Sequence, residues 1–144
     1  MKITDNFTLE EMIYSNTAKQ HGISNQPDDN AIQNINRLVK YILQPIRNNY
    51  NKPIHVNSGY RSNELNKKIK GANNSDHLFG AAADITSENN LELFNIILDM
   101  INNKEIQCRQ LIWEYGKSKP KWIHISINHN KNKYKNNEII YIKN

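Results

Sequence analysis

The chain has 144 residues, a single cysteine and a formal net charge of +5, with 19 Lys and Arg against 14 Asp and Glu. That length suits one domain spanning 1–144 with a core of its own, and one cysteine excludes both an intrachain disulfide and a cysteine-rich metal site. No apolar run approaches the ~20 residues of a membrane span, which argues against stable membrane insertion. The lysines are scattered, many of them between Asn128 and Asn137, and read as a solvated basic surface suited to anionic partners. The first residues hold no apolar segment ahead of Glu10 and Glu11, so the expectation is synthesis in the cytoplasm without a secretion signal.

Thr8 and Glu11 have the spacing of a capping box, which predicts a helix running to about Gln20 and stopped by Gly22. Pro27 and Asp28 open a second, longer helix. Its apolar residues Ile32, Ile35, Val39, Ile42, Leu43 and Ile46 recur at helical spacing, and Pro45 predicts a kink. Alternation over 53–57 predicts a short strand, Ser58 and Gly59 a turn, 62–69 a short helix and 71–76 a loop. The small apolar run 81–85 suits a closely packed strand, and Ser87 is placed to cap a helix with Leu91, Phe94, Ile97, Leu98 and Ile101 on one face. Two strands, 110–115 and 121–128, follow as a hairpin across Gly116 to Pro120, and 138–142 is a last strand. Helices and strands do not alternate as βαβ units. The expected class is therefore α+β, a single compact domain with a central antiparallel sheet and flanking helices.

His77 and Asp84 form an H-x6-D pair around a Gly/Ala-rich stretch, and His124 lies in the alternating run 122–127. Two imidazoles and one carboxylate can hold zinc and leave a fourth position for water, which is the ligand count of a catalytic site and not of a closed structural one. Trp122 projects to the same side of its strand as His124 and is placed to wall a pocket in a cleft over the sheet. Zinc-assisted hydrolysis also needs a carboxylate to take a proton from water, and donors for the oxyanion that develops on the attacked carbonyl.

The blocks Ser58-Gly59-Tyr60-Arg61, Ser75-Asp76-His77-Leu78-Phe79-Gly80-Ala81-Ala82-Ala83-Asp84 and Trp122-Ile123-His124 occur in that order. They match S-G-[YF]-R, S-x-H-x-x-G-x-A-x-D and W-x-H. In these blocks and their flanks the chain resembles the D-alanyl-D-alanine carboxypeptidase-type zinc peptidases, which include the peptidoglycan L,D- and D,D-peptidases of bacteria and of phage endolysins. The resemblance implies a Zn2+ held by His77, Asp84 and His124, with Arg61 polarising the scissile carbonyl and stabilising the oxyanion. It implies a substrate-binding role for Ser75, for which loop capping is an equal alternative. Tyr60 either borders the pocket or packs in the core. The implied substrate is a short peptide of peptidoglycan, cut at D-Ala-D-Ala, at L-Ala-D-Glu or at a cross-link.

Many members of that family carry a carboxylate three residues before the last histidine, where this chain has Lys121. Either Glu114 supplies the general base from the neighbouring strand of the hairpin, or the base is missing and the domain binds zinc and its target without cleaving. A nucleic-acid partner is not expected, because no aromatic platform is interleaved with the basic residues. With that resemblance, the missing secretion signal favours a lytic enzyme of phage or prophage type, released to the wall by a holin-type pore partner or carried in a virion, and the expectation is a monomer.

Overall fold

The computed structural model describes Met1–Asn144. A short hairpin of β1 (Lys2–Thr4) and β2 (Phe7–Thr8) opens the chain. The Thr8 capping box forms as expected. The helix behind it is divided, however, into α1 (Leu9–Ile13) and α2 (Asn16–Gln20), because Ser15 turns extended and caps α2 through its hydroxyl. The carbonyl of Ile13, freed at the break, accepts from Asn25 Nδ2 at 2.8 Å.

Asp28 caps α3 (Asp29–Leu38), which continues through a wide π-helical turn, Val39–Leu43, into α4 (Gln44–Tyr50). Pro45 does not break this helix. It has no N–H to offer the carbonyl four residues back, and the chain widens at that point, with Gln44 N–H donating to Val39 O five residues earlier. The remaining elements are β3 (His55–Ser58), α5 (Asn63–Lys68), a 3-10 turn at Asp76–Phe79, β4 (Ala82–Thr86), α6 (Asn90–Asn102), β5 (Gln110–Glu114), β6 (Trp122–Ser126) and β7 (Glu138–Ile142). Asn89, not Ser87, caps α6; Ser87 instead accepts from Tyr50 and from the Asn89 N–H.

The fold is α+β, with a five-stranded sheet in the order β3-β4-β6-β5-β7. It is antiparallel through its first four strands. The last strand departs from the expectation of a wholly antiparallel sheet, since β7 joins β5 in parallel. An antiparallel partner can be reached by a tight turn, whereas a parallel one needs a long connection; here the chain leaves β5, passes through β6 and returns to β7 by residues 127–137. That connection is more than a solvated basic loop, because Asn128 is buried and its side chain bonds Tyr134 O and Asn136.

Strand register sorts the two faces. Ala83, Ile125 and Leu111 align across the sheet, as do Ile85, Ile123 and Trp113. All are buried in one cluster with Ile35, Leu38, Ile42, Ile46, Phe94 and Ile97 from the helices. The opposite face carries Asp84, His124 and Ile112 in one row and Trp122 and Glu114 in the next. No helix is long and apolar enough to cross a membrane.

Cys108 is fully buried at the edge of this core, and burial pushes its thiol pKa up to about 12. The thiol should therefore resist Ellman's reagent at pH 8 in the native protein and react at once after denaturation. Rapid labelling of native protein would show that the Cys108 region opens.

Candidate active site

The polar face of the sheet forms the floor of a cleft of about 460 Å³, lined by Arg61, Ser75, Asp76, His77, Asp84, Arg109, Gln110, Ile112, Glu114, Trp122 and His124, among others. Asp84 and His124 are paired across β4 and β6, which brings a carboxylate and an imidazole together. His77 arrives from the 3-10 turn, whose N-terminus Ser75 caps by accepting from the His77 N–H at 3.2 Å. Gly80 ends that turn at φ +70°, where a side chain would be strained and a Cβ would lie 2.5 Å from Ala31 O.

One ligand atom from each of His77, Asp84 and His124 lies within 4.8 Å of the others. His77 Nε2 is 3.3 Å and His124 Nδ1 3.1 Å from Asp84 Oδ1. The other nitrogen of His77, Nδ1, lies 2.6 Å from Gly59 O. A carbonyl only accepts, so Nδ1 carries the proton and Nε2 presents its lone pair to the cleft. Burial lowers the pKa of His77 despite the opposing charge of Asp84, which favours the neutral ring. Burial alone would raise the Asp84 carboxyl. The two histidines outweigh it and hold that carboxyl well below the usual range.

Arg61 closes one side. Its Nη2 is 3.3 Å from Asp84 Oδ2, its Nε donates to Ser58 Oγ at 3.0 Å, and its backbone N–H donates to His77 O at 3.0 Å. Burial lowers its pKa, against the attraction of Asp84 and Glu114. Glu114 lies beyond His124, paired across the hairpin with Trp122. Burial raises its pKa and the charge of Asp84 raises it further, while His124, the Trp122 indole and Arg61 act the other way.

A family model described as Peptidase M15 matches residues 5–126. The chain belongs to the Peptidase M15 family. M15 peptidases are zinc-dependent metallopeptidases. No curated protein matches the chain.

The residues of this M15 peptidase fit such an ion. A tetrahedral zinc with bonds of about 2.0–2.2 Å needs donor atoms roughly 3.3 Å apart, close to the separations at Asp84 Oδ1. In neutral His77, moreover, the Nε2 lone pair faces a carboxylate oxygen, and a cation between the two acceptors resolves that placement. His77, Asp84, His124, Arg61, Ser75, Trp122 and Glu114 all line one cleft, whereas Lys121 is exposed outside it with its backbone N–H on Glu114 O. Tyr60 is not a cleft residue. It packs against the core, and burial raises its phenol pKa. His55 is exposed on β3, away from the cleft lining. Sequence reasoning missed Asp76, Arg109, Gln110 and Ile112. The last two were readable from the alternation that puts them on the Glu114 side of β5.

Gly59 ties the fold to the site, because its carbonyl orients His77 while its Cα lies against the Met12 carbonyl. An added Cβ would collide with that backbone. Gly59→Ala should cost about 1–3 kcal/mol of stability and also weaken zinc binding, as seen by thermal unfolding and by competition with a chromogenic chelator. Wild-type values in both would mean that α1 yields without moving Gly59.

Proposed function

We propose that this M15 peptidase hydrolyses short peptides of the bacterial cell wall. The observation that carries this reading is the placement of a partly buried carboxylate, Glu114, in the same cleft as the His77, Asp84 and His124 cluster, with Arg61 on the other side of Asp84. Metal ligands, a proton acceptor and a fixed cation are the parts that peptide hydrolysis requires.

His77, Asp84 and His124 would hold zinc, which supplies a Lewis acid that acidifies water and polarises a carbonyl. Glu114 accepts the proton of the attacking water on its carboxylate and returns it to the leaving amine. Arg61, fixed by Ser58 and Asp84, puts positive charge beside the carbonyl oxygen as it becomes anionic. Ser75 and Trp122 form walls against which the peptide is held. Glu114 supplies the carboxylate missing at Lys121, which favours catalysis over a module that only binds. The motif resemblance to a peptidase type that includes phage endolysins is the support for a phage or prophage lytic enzyme, acting on the wall after release or from a virion.

The test is the release of new amino termini from purified peptidoglycan by the zinc-loaded protein, with and without chelator. Metal-dependent release is the expected result, and fragment masses name the bond. Stoichiometric zinc without any release would return the domain to a binding role.

A further inference from the structure

Arg109 lies in the same cleft and has no part in the steps above. It immediately precedes β5, with its backbone N–H on Ser126 O and its carbonyl accepting from Glu138 N–H. Its Nη1 donates to Asp76 Oδ2 at 2.5 Å, and its guanidinium carbon stands 3.7 Å from the centre of the Tyr134 ring. Asp76 is itself fixed, with its second oxygen 3.0 Å from His129 Nε2, and His129 is stacked on Phe79 at 4.3 Å. The plane and position of the guanidinium are therefore set before anything binds.

An ordinary structural ion pair would use more of this group. A guanidinium has five N–H donors in a planar fork and meets a carboxylate best through two parallel bonds. Here Asp76 takes a bond from Nη1 alone, and Nε is buried without any partner. A buried donor left unpaired costs about 1–3 kcal/mol. The chain bears that cost at a group that lines the cleft and is 15% exposed. Cation–π contact with Tyr134 covers a ring face; buried Nε is out of reach of the cleft, and Nη2, neither buried nor bonded within the protein, is the donor on the open edge.

Position narrows what this edge can receive. Ile112, three residues along β5, is the cross-strand partner of His124. Three strand residues span about 10 Å, and the arginine side chain covers part of that distance. A group held by Arg109 therefore lies within one or two peptide residues of a bond cut beside His124.

We propose that Arg109 is a specificity-determining residue that receives a free carboxylate of the peptide, one or two residues from the scissile bond. This rests on the peptidase reading of the cleft. In a wall peptide that carboxylate is either the C-terminal one of D-Ala-D-Ala or the α-carboxylate of a γ-linked D-Glu.

Two pairs of synthetic peptides separate these sources, one ending in D-Ala-D-Ala as free acid or amide, the other carrying γ-linked D-Glu as free α-acid or α-amide. Each is tested with zinc-loaded wild type, with Arg109→Gln, and with Asp76→Asn/Arg109→Gln, which leaves no buried carboxylate unpaired if the single variant folds poorly. Both kcat/KM and calorimetric binding are measured. Wild type should prefer the acid of one pair by roughly 10- to 100-fold, the worth of a charge-assisted hydrogen bond. Both variants should bring that ratio close to one by lowering only the values for the acid. Should no peptide be cleaved, an acid preference in binding that the variants lose still supports Arg109, while the peptidase reading fails. Acid and amide treated alike by wild type, or a preference that survives in the double variant, overturns the proposal.

Discussion

Glu114→Gln should bind zinc with wild-type stoichiometry and lose about 10²- to 10⁴-fold in kcat, the usual worth of a positioned general base. The substitution keeps the shape of the side chain beside Trp122 and removes only its capacity to take a proton. Glu114 is suited to that task because burial, reinforced by the charge of Asp84, raises its pKa towards the working range of a base. Because Glu114 is not among the three clustered ligand residues, metal analysis should show no change while turnover collapses. Full activity in this variant would remove Glu114 from the mechanism. Lost zinc together with lost activity would make it a ligand instead.

A larger loss is expected from Asp84→Asn, which strikes three contacts at once. Oδ1 faces both imidazoles and Oδ2 faces Arg61. An amide is a poor replacement for an anionic ligand. Changes to partners outside the ligand set already cost about 10- to 100-fold in metal affinity, so a ligand itself should cost more than that. Activity should fall below detection at ordinary zinc concentrations. The variant should also melt at lower temperature, because the partly buried Arg61 loses its ion-pair partner. Equilibrium dialysis against zinc provides the check, and affinity close to wild type would take Asp84 out of the ligand set.

The clustering of His77, Asp84 and His124 was legible mainly through the three motif blocks that carry the family resemblance, with residue types and strand alternation in support. His124 and Trp122 had to share a face, and the hairpin put Glu114 next to them. The break between α1 and α2 was not legible. Ser15 suits an N-cap by type, but nothing local says that it starts a second helix there instead of lying within the first, and the Asn25 amide that satisfies the freed Ile13 O, together with Tyr60 O, comes from outside the helix. Ser87 and Asn89 both suit an N-cap, and the distant Tyr50 hydroxyl accompanies the choice between them. The parallel placement of β7 depends on how residues 127–137 cross, which no local pattern encodes. The contacts of Asp76 with Arg109 and His129 join positions 33 and 53 residues apart, and each of these residues alone looks like an ordinary polar side chain.

The row Asp84–His124–Ile112 is fixed by the same pairing that buries Ile123 and Ile125 on the other side. Side chains alternate strictly along a strand, so a slip by one residue would turn His124 into the helices and expose two isoleucines. Hydrophobic burial thus proofreads the arrangement of the reactive groups, and a well-folded sheet in the wrong phase is not an accessible trap. Tolerance to insertion and deletion should follow the same line. The connection 115–121 can change in length without altering which groups meet, whereas one residue added inside β6 between Trp122 and Ile125 would scramble the site and the core together.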